Sequence, residues 1–235
     1  MGAERILSDW VRLGALFHAV PSDRTPDIEA LLLDTAGLLP ETPRLLPVCV
    51  SWLAVYHRLV CRHRLAGFAA QYAGSDTSAI LGLMLERAAE QAQTDHFNLV
   101  LKQCTPAALA KPLFAVDRLS ESLSGLARRN SSPLGLRWGL WCETIGSKED
   151  AVRPPSWVMG QNPALAQRAL FNGNLRASIL ETLAANRHAG QSESLLARHC
   201  YATRKAVREA LDHLEFCQLV VRRSAAGKIL ISLCL

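Results

Sequence analysis

The chain has 235 residues, 49% of them hydrophobic and 20% charged. This composition excludes a disordered chain and allows one large folding unit or two ordinary ones. Net charge is +5, and it is unevenly placed: residues 173–235 hold nine Arg/Lys against five acids, whereas residues 1–172 hold seventeen against sixteen. Such asymmetry is the footprint expected of a nucleic-acid contact.

The most apolar run, residues 45–56, is about a dozen residues long and stops at His57 and Arg58, short of the roughly 20 that a spanning helix needs. The opening Met1-Gly2-Ala3-Glu4-Arg5 has no signal-peptide apolar core, and Ile6 stands where myristoylation requires Ser or Thr. The seven cysteines are odd in number and contain no Cys-x-x-Cys pair, which argues against a disulfide framework and a zinc ribbon. These features predict a cytoplasmic protein with reduced, buried thiols and no membrane association.

The elements of residues 1–130 read as helices. Ile6, Trp10, Leu13, Leu16 and Phe17 share one helical face. Thr25-Pro26-Asp27 reads as a cap and first turn, followed by Ile28, Leu31 and Leu32, with Gly37 and Pro40 as the stop. A longer helix from about Pro47 carries Cys49, Trp52, Leu53, Tyr56, Leu59 and Val60, with Arg58 and Arg62 on another face. Asp76-Thr77-Ser78 caps the next, whose stripe is Ile80, Leu81, Met84 and Ala88. Phe97, Val100 and Leu101 open a short helix that ends before Pro106. No strand-like alternation occurs in this region, so a helical domain over 1–172 is predicted.

Residues 130–163 form an irregular, tryptophan-rich segment. Asn130-Ser131-Ser132-Pro133 is a turn signal. Trp138, Trp141 and Trp157 are read as filling the junction between domains, or as lining a pocket with Arg137 and Arg153. Asn162-Pro163 starts a helix through Leu170, and Asn172-Gly173-Asn174 marks the domain boundary.

Residues 173–235 follow a different plan. A helix over 175–186 points Leu175, Ile179, Leu180 and Leu183 inward. A loop over 188–191 precedes a short helix capped by Ser192. After a turn over 198–202, Thr203 caps a third helix whose Val207, Ala210, Leu211 and Leu214 face the core. Lys205, Arg208, Glu209 and Asp212 are left exposed, with Arg204 at the margin. Residues 219–223 and 228–233 read as two strands joined by a turn over 224–227. The predicted fold class is therefore mainly α: an N-terminal helical domain plus three helices and a β-hairpin, the plan of a winged helix-turn-helix.

The third helix, Thr203-Arg204-Lys205-Ala206-Val207-Arg208-Glu209-Ala210-Leu211, with Leu214-Glu215 and Leu219-Val220 after it, resembles the recognition helix of GntR-type bacterial transcriptional regulators. The resemblance covers about 60 residues. It implies that Arg204 and Arg208 approach DNA, and that Thr203 caps the helix beside a phosphate. Four features depart from that family. The module is C-terminal, and Cys200-Tyr201 replaces the usual glycine of the inter-helix turn. Gln218 replaces the glycine before the first wing strand, and the wing has one glycine, Gly227. On physical grounds, Arg204, Lys205 and Arg208 suit the major groove, while Arg222, Arg223 and Lys228 suit flanking phosphates.

No catalytic constellation accompanies this plan. Gly74-Ser75-Asp76 lacks a following Asp-x-Asp, there is no Gly-x-x-x-x-Gly-Lys loop, and the seven histidines show no metal-ligand spacing. No metal or cofactor is expected. The expectation is a DNA-binding regulator of the repressor type, a homodimer on double-stranded DNA. The alternative is an adaptor or antitoxin-like protein whose winged helix docks a protein partner.

Overall fold

The computed structural model describes residues 2–225 and 228–234, and only the backbone of Ala225 and Lys228. The protein is mainly helical, with a small antiparallel strand pair at its C-terminal end. Among the described residues no helix is long and apolar enough to cross a membrane.

The first helices in chain order are α1 (Gly2–Arg12), α2 (Ile28–Leu38), α3 (Leu45–Tyr56), α4 (Arg62–Gln71), α5 (Asp76–Ala92) and α6 (Asn98–Leu101). Helix α1 stops at Arg12 because Gly14 turns the chain at φ +94°. Leu16 is therefore 44% exposed and is not on the buried face that its spacing suggests. The caps also shift from their expected places. Asp27, not Thr25, accepts the Ala30 N–H at the start of α2, and Ser75 accepts the Ser78 N–H at the start of α5. Helix α3 begins two residues before Pro47, which sits in the first turn, where its missing N–H costs nothing. A 3-10 turn over His57–Leu59 separates α3 from α4. Arg58 and Arg62 therefore belong to different elements and not to one helical face.

The core of this body packs α3 against α5, and α5 against α2. Trp10 and Trp52 meet edge to face at 5.3 Å, both fully buried. Each indole N–H finds a partner: Trp10 donates to Thr35 Oγ1 at 2.8 Å and Trp52 to the Leu13 carbonyl at 2.7 Å. Satisfied in this way, the indoles are buried without the cost of a lost hydrogen bond.

The next stretch is more ordered than its sequence suggests. It holds β1 (Lys111–Pro112), α7 (Glu121–Arg129), α8 (Pro133–Arg137), β2 (Leu140–Trp141) and α9 (Pro155–Gln161). Strand β1 pairs in parallel with β2, so a strand does occur before residue 130. Ser132 and Pro133 form the cap and first position of α8 rather than a loop. The three tryptophans are dispersed through the body. Trp138 lies over Gly82 and donates to Glu86 at 2.6 Å. Trp141 stacks under Arg128, and Trp157 under Arg153 and beside Gly14. They do not fill a junction with the C-terminal residues.

A 3-10 turn over Pro163–Leu165 leads into α10 (Ala166–Leu170). Then follow α11 (Leu175–Ala185), α12 (Glu193–His199), α13 (Arg204–Phe216), β3 (Val220–Ala225) and β4 (Lys228–Leu233). The expected loop over 188–191 lies in a 3-10 turn, Arg187–Gln191. These elements bury a second hydrophobic cluster, from Leu175 to Ile231, separate from the body's cluster, which ends at Leu165.

Polar contacts join the two clusters. Arg168 of α10, almost fully buried, donates to Glu29 Oε1 at 2.7 Å, to the Leu59 carbonyl at 3.1 Å and to both oxygens of Glu181 at 2.5 and 2.9 Å. Glu29, with no exposed surface, also accepts the Cys61 N–H at 2.8 Å and Arg64 at 3.1 Å. Burial pushes its carboxyl up from the ordinary value even though Arg168 and Arg64 pull it down. The adjoining chain is held from other sides. His96 Nε2 donates to the Val60 carbonyl at 3.0 Å, and the Arg62 N–H donates to the Gly173 carbonyl at 3.2 Å.

Arg168→Met leaves the buried Glu29 with Arg64 as its remaining cation and takes both guanidinium bonds from Glu181. A loss of roughly 3–5 kcal/mol is expected, read as a lower urea midpoint and largely restored in the Glu29→Gln/Arg168→Met double variant. His96 gives a second expectation. Its burial lowers the imidazole pKa from 6.5 to about 4. The unfolded chain takes up that proton first, so stability present above pH 6.5 is lost as pH falls toward about 4. The loss is on the order of 3 kcal/mol. Urea midpoints across this window test it, and His96→Asn should flatten the slope.

Candidate nucleic-acid interface

The C-terminal unit is positioned by α11, which packs against α13 and lies beside α4 and α10. Helix α12 begins at its cap Ser192, whose hydroxyl accepts the Leu195 N–H. Leu196 and Ala197 are buried, and Leu195 is half-buried. The turn to α13 passes through Tyr201 at φ +50°. Thr203 then caps α13, accepting the Ala206 N–H at 3.2 Å. Val207, Ala210, Leu211 and Leu214 are buried as their spacing requires. Thr203, Arg204, Lys205, Arg208, Glu209 and Asp212 face solvent.

Ion pairing within the unit is extensive, and the sequence reading missed it. Glu193, the first residue of α12, is buried apart from about 6% of its side chain. Its carboxylate takes Arg208 through Nε at 3.2 Å and Nη2 at 2.9 Å, and Arg204 through Nε at 3.3 Å. These bonds, chiefly that from Arg208, hold the Glu193 carboxyl below the ordinary glutamate value. Both arginines stay open to solvent, with side-chain exposures of 64% for Arg204 and 54% for Arg208.

The strands carry a second such group. Strand β3 runs antiparallel to β4, with Arg222 opposite Ile231 and Arg223 opposite Leu230. Ser224 lies inside this ladder rather than in the expected turn. Arg222 points to α13, where it donates to Asp212 and Glu215, each at 2.6 Å. Glu215 also accepts the Arg222 backbone N–H at 3.1 Å. One carboxylate therefore blocks a free edge donor of β3 and neutralises a guanidinium, which protects the edge from stray pairing. Arg223 points to the other face, where with Arg187, Leu183 and Val221 it lines a cavity of about 720 Å³. Of the seven expected contact residues, Arg204 and Arg208 are brought together and Lys205 adjoins them. Arg222 is turned inward onto acids, and Arg223 stands apart. The side chain of Lys228 and the turn residue Gly227 lie outside the described residues.

A groove of about 710 Å³ runs from the start of α12 and Arg204 to Ile229 and Leu230 of β4, with Arg198 on its wall. Among the described residues, Arg198, Lys205 and Arg223 have no carboxylate within 4 Å. The sequence reading did not single out Arg198, because it fell in the expected turn.

The two positions where the GntR-type resemblance expects glycine are conformationally informative. Tyr201 and Gln218 have φ of +50° and +56°, a left-handed backbone that glycine adopts without penalty. Tyr201 is held there by α4. A Cβ at Gly67 would lie 2.1 Å from the Tyr201 ring, and Phe68 meets the ring edge to face at 5.5 Å.

Comparison with known proteins finds no matching family model, no matching curated protein and no matching solved structure.

Gly67→Ala is expected to cost about 1–3 kcal/mol, because the methyl group meets the Tyr201 ring. In a Tyr201→Gly background, which removes both the ring and the Cβ that would lie 2.6 Å from the new methyl group, the same substitution should cost under half of that. A double-variant cycle by urea denaturation measures the coupling; additive effects would show that the turn does not rest on α4.

Proposed function

We propose that the chain is a DNA-binding transcriptional regulator of the repressor type, whose C-terminal unit is a winged helix-turn-helix. In this reading α13 enters the major groove with Thr203, Arg204, Lys205 and Arg208. The β3–β4 hairpin is the wing, carrying Arg223 and Lys228 toward flanking phosphates. Arg222 is reassigned from phosphate contact to structural support, since Asp212 and Glu215 hold it.

The observation that carries this reading is the start of α13. A capped helix N-terminus presents three exposed cations, and a groove leads from it to the strand pair. Free amide donors and positive dipole ends favour phosphate there, and guanidinium forks match guanine edges. The left-handed backbone of Tyr201 and Gln218 supports it further, since it occurs at the places where the resemblance leads one to expect glycine. The protein acts in the cytoplasm as a homodimer, because two half-sites need two recognition helices. Leu119, Leu123 and Leu126, on and before α7, turn 78%, 38% and 47% of their surface to solvent and offer an apolar face for assembly.

One observation favours a second reading, an adaptor that docks protein. Phe216, at the end of α13, is 87% exposed. Binding of the full chain to duplex DNA across a salt series separates the two readings. A regulator binds with an affinity that falls steeply with salt. The Arg204→Ala/Arg208→Ala variant should lose about 1–3 kcal/mol per base-reading arginine. Unchanged duplex binding by that variant would overturn the assignment. An effect of Phe216→Ala on a co-purifying protein, without duplex binding, would favour the adaptor.

A further inference from the structure

The pairing of Arg204 and Arg208 with one buried carboxylate looks at first like neutralisation of the contact surface. The bonds themselves argue otherwise. A guanidinium has two donor edges: a lateral one, Nε–H with one Nη–H, and an end-on one across Nη1 and Nη2. Arg208 meets Glu193 through Nε and Nη2, the lateral edge, and Arg204 meets it through Nε alone. In both residues the end-on edge remains without a partner among the described residues, and both side chains are more than half exposed. Glu193 is itself nearly enclosed. Its position is set by the α12 backbone and the Ser192 cap. It therefore serves as a fixed post to which two flexible side chains are tied.

Resting on the DNA reading above, we propose that Glu193 is a positioning residue that orients Arg204 and Arg208 to read two guanines in the major groove. Guanine presents N7 and O6 as paired acceptors there, and an end-on guanidinium fork is their complement. An untethered arginine gives up much rotamer freedom when it docks, whereas Glu193 has already fixed these two. It also removes one unit of positive charge from the surface. That weakens attraction to phosphate in general while leaving base reading intact, so the residue shifts the balance from non-specific toward specific binding. The sites that the protein selects should therefore contain two guanines at fixed spacing in each half-site.

The test uses the full-length protein and duplexes that it enriches from a random library, each also prepared with 7-deazaguanine in place of guanine. That base keeps Watson–Crick pairing and O6 but lacks the N7 acceptor. The wild-type protein should bind the guanine duplex at least about tenfold more tightly than the deaza duplex. Glu193→Ala and Glu193→Gln should reduce that ratio to within about threefold while binding random duplex as well as, or better than, wild type. Glu193→Gln keeps the side-chain volume, and a thermal melt matching wild type confirms the fold. If both variants keep the wild-type ratio, the positioning role is overturned while the regulator reading stands. If the wild-type protein enriches no duplex, the regulator reading itself fails, and this proposal with it.

Discussion

The Arg168 guanidinium holds the two halves of this protein together. It sits between Glu29 of the body and Glu181 of α11, with the Leu59 carbonyl as a third acceptor. Placing such charges in an interior is costly unless every donor and acceptor is met. Here most are met: four of the five Arg168 N–H groups find acceptors, and Glu29 takes Arg168, Arg64 and the Cys61 N–H. The neighbouring carbonyl of Val60 is taken by His96. At Gly173, φ is +56° and a Cβ would lie 2.1 Å from the Val60 carbonyl oxygen, so only glycine lets the chain pass here. The short stretch from Leu59 to Arg62 thereby ties α2, α4, α10 and α11 into one arrangement. Two separate hydrophobic clusters flank it, and apolar packing alone does not fix their relative position.

The same economy of charge recurs in the C-terminal unit. Its basic surplus is real in the sequence, yet the structure does not leave it as an undirected positive surface. Glu193 ties Arg204 and Arg208, and Glu215 with Asp212 ties Arg222. Among the described residues, Arg176, Arg187, Arg198, Lys205 and Arg223 have no such partner. Pairing of this kind trades general electrostatic attraction for defined donor directions. Pairing also separates close neighbours: Arg222 is held by acids of α13 while Arg223 lines a cavity, because the strand pleat sends them to opposite faces.

Much of the C-terminal unit was legible in the sequence because its signals are local. The Thr203 cap, the apolar spacing of α13 and the Val220-Val221 run that opens β3 each depend on a few consecutive residues. The body was legible only as helical. Its segment over 130–163 carries too many short elements for periodicity to register, since α8 spans Pro133–Arg137 and β2 only Leu140–Trp141. The tryptophans there read as one cluster because they are close in sequence. In space each packs against a different helix or arginine.

The sequence by itself determined the helical character of the chain, the capped basic helix near its end and the strand pair that follows, because propensity, capping and periodicity act over a handful of residues. The tertiary structure alone decided which arginines point outward with free donors and which are spent on acids. Glu193 and Arg208 are fifteen positions apart, and Glu29 and Arg168 are 139 apart. No local pattern announces such a partner; it is set by how the helices pack.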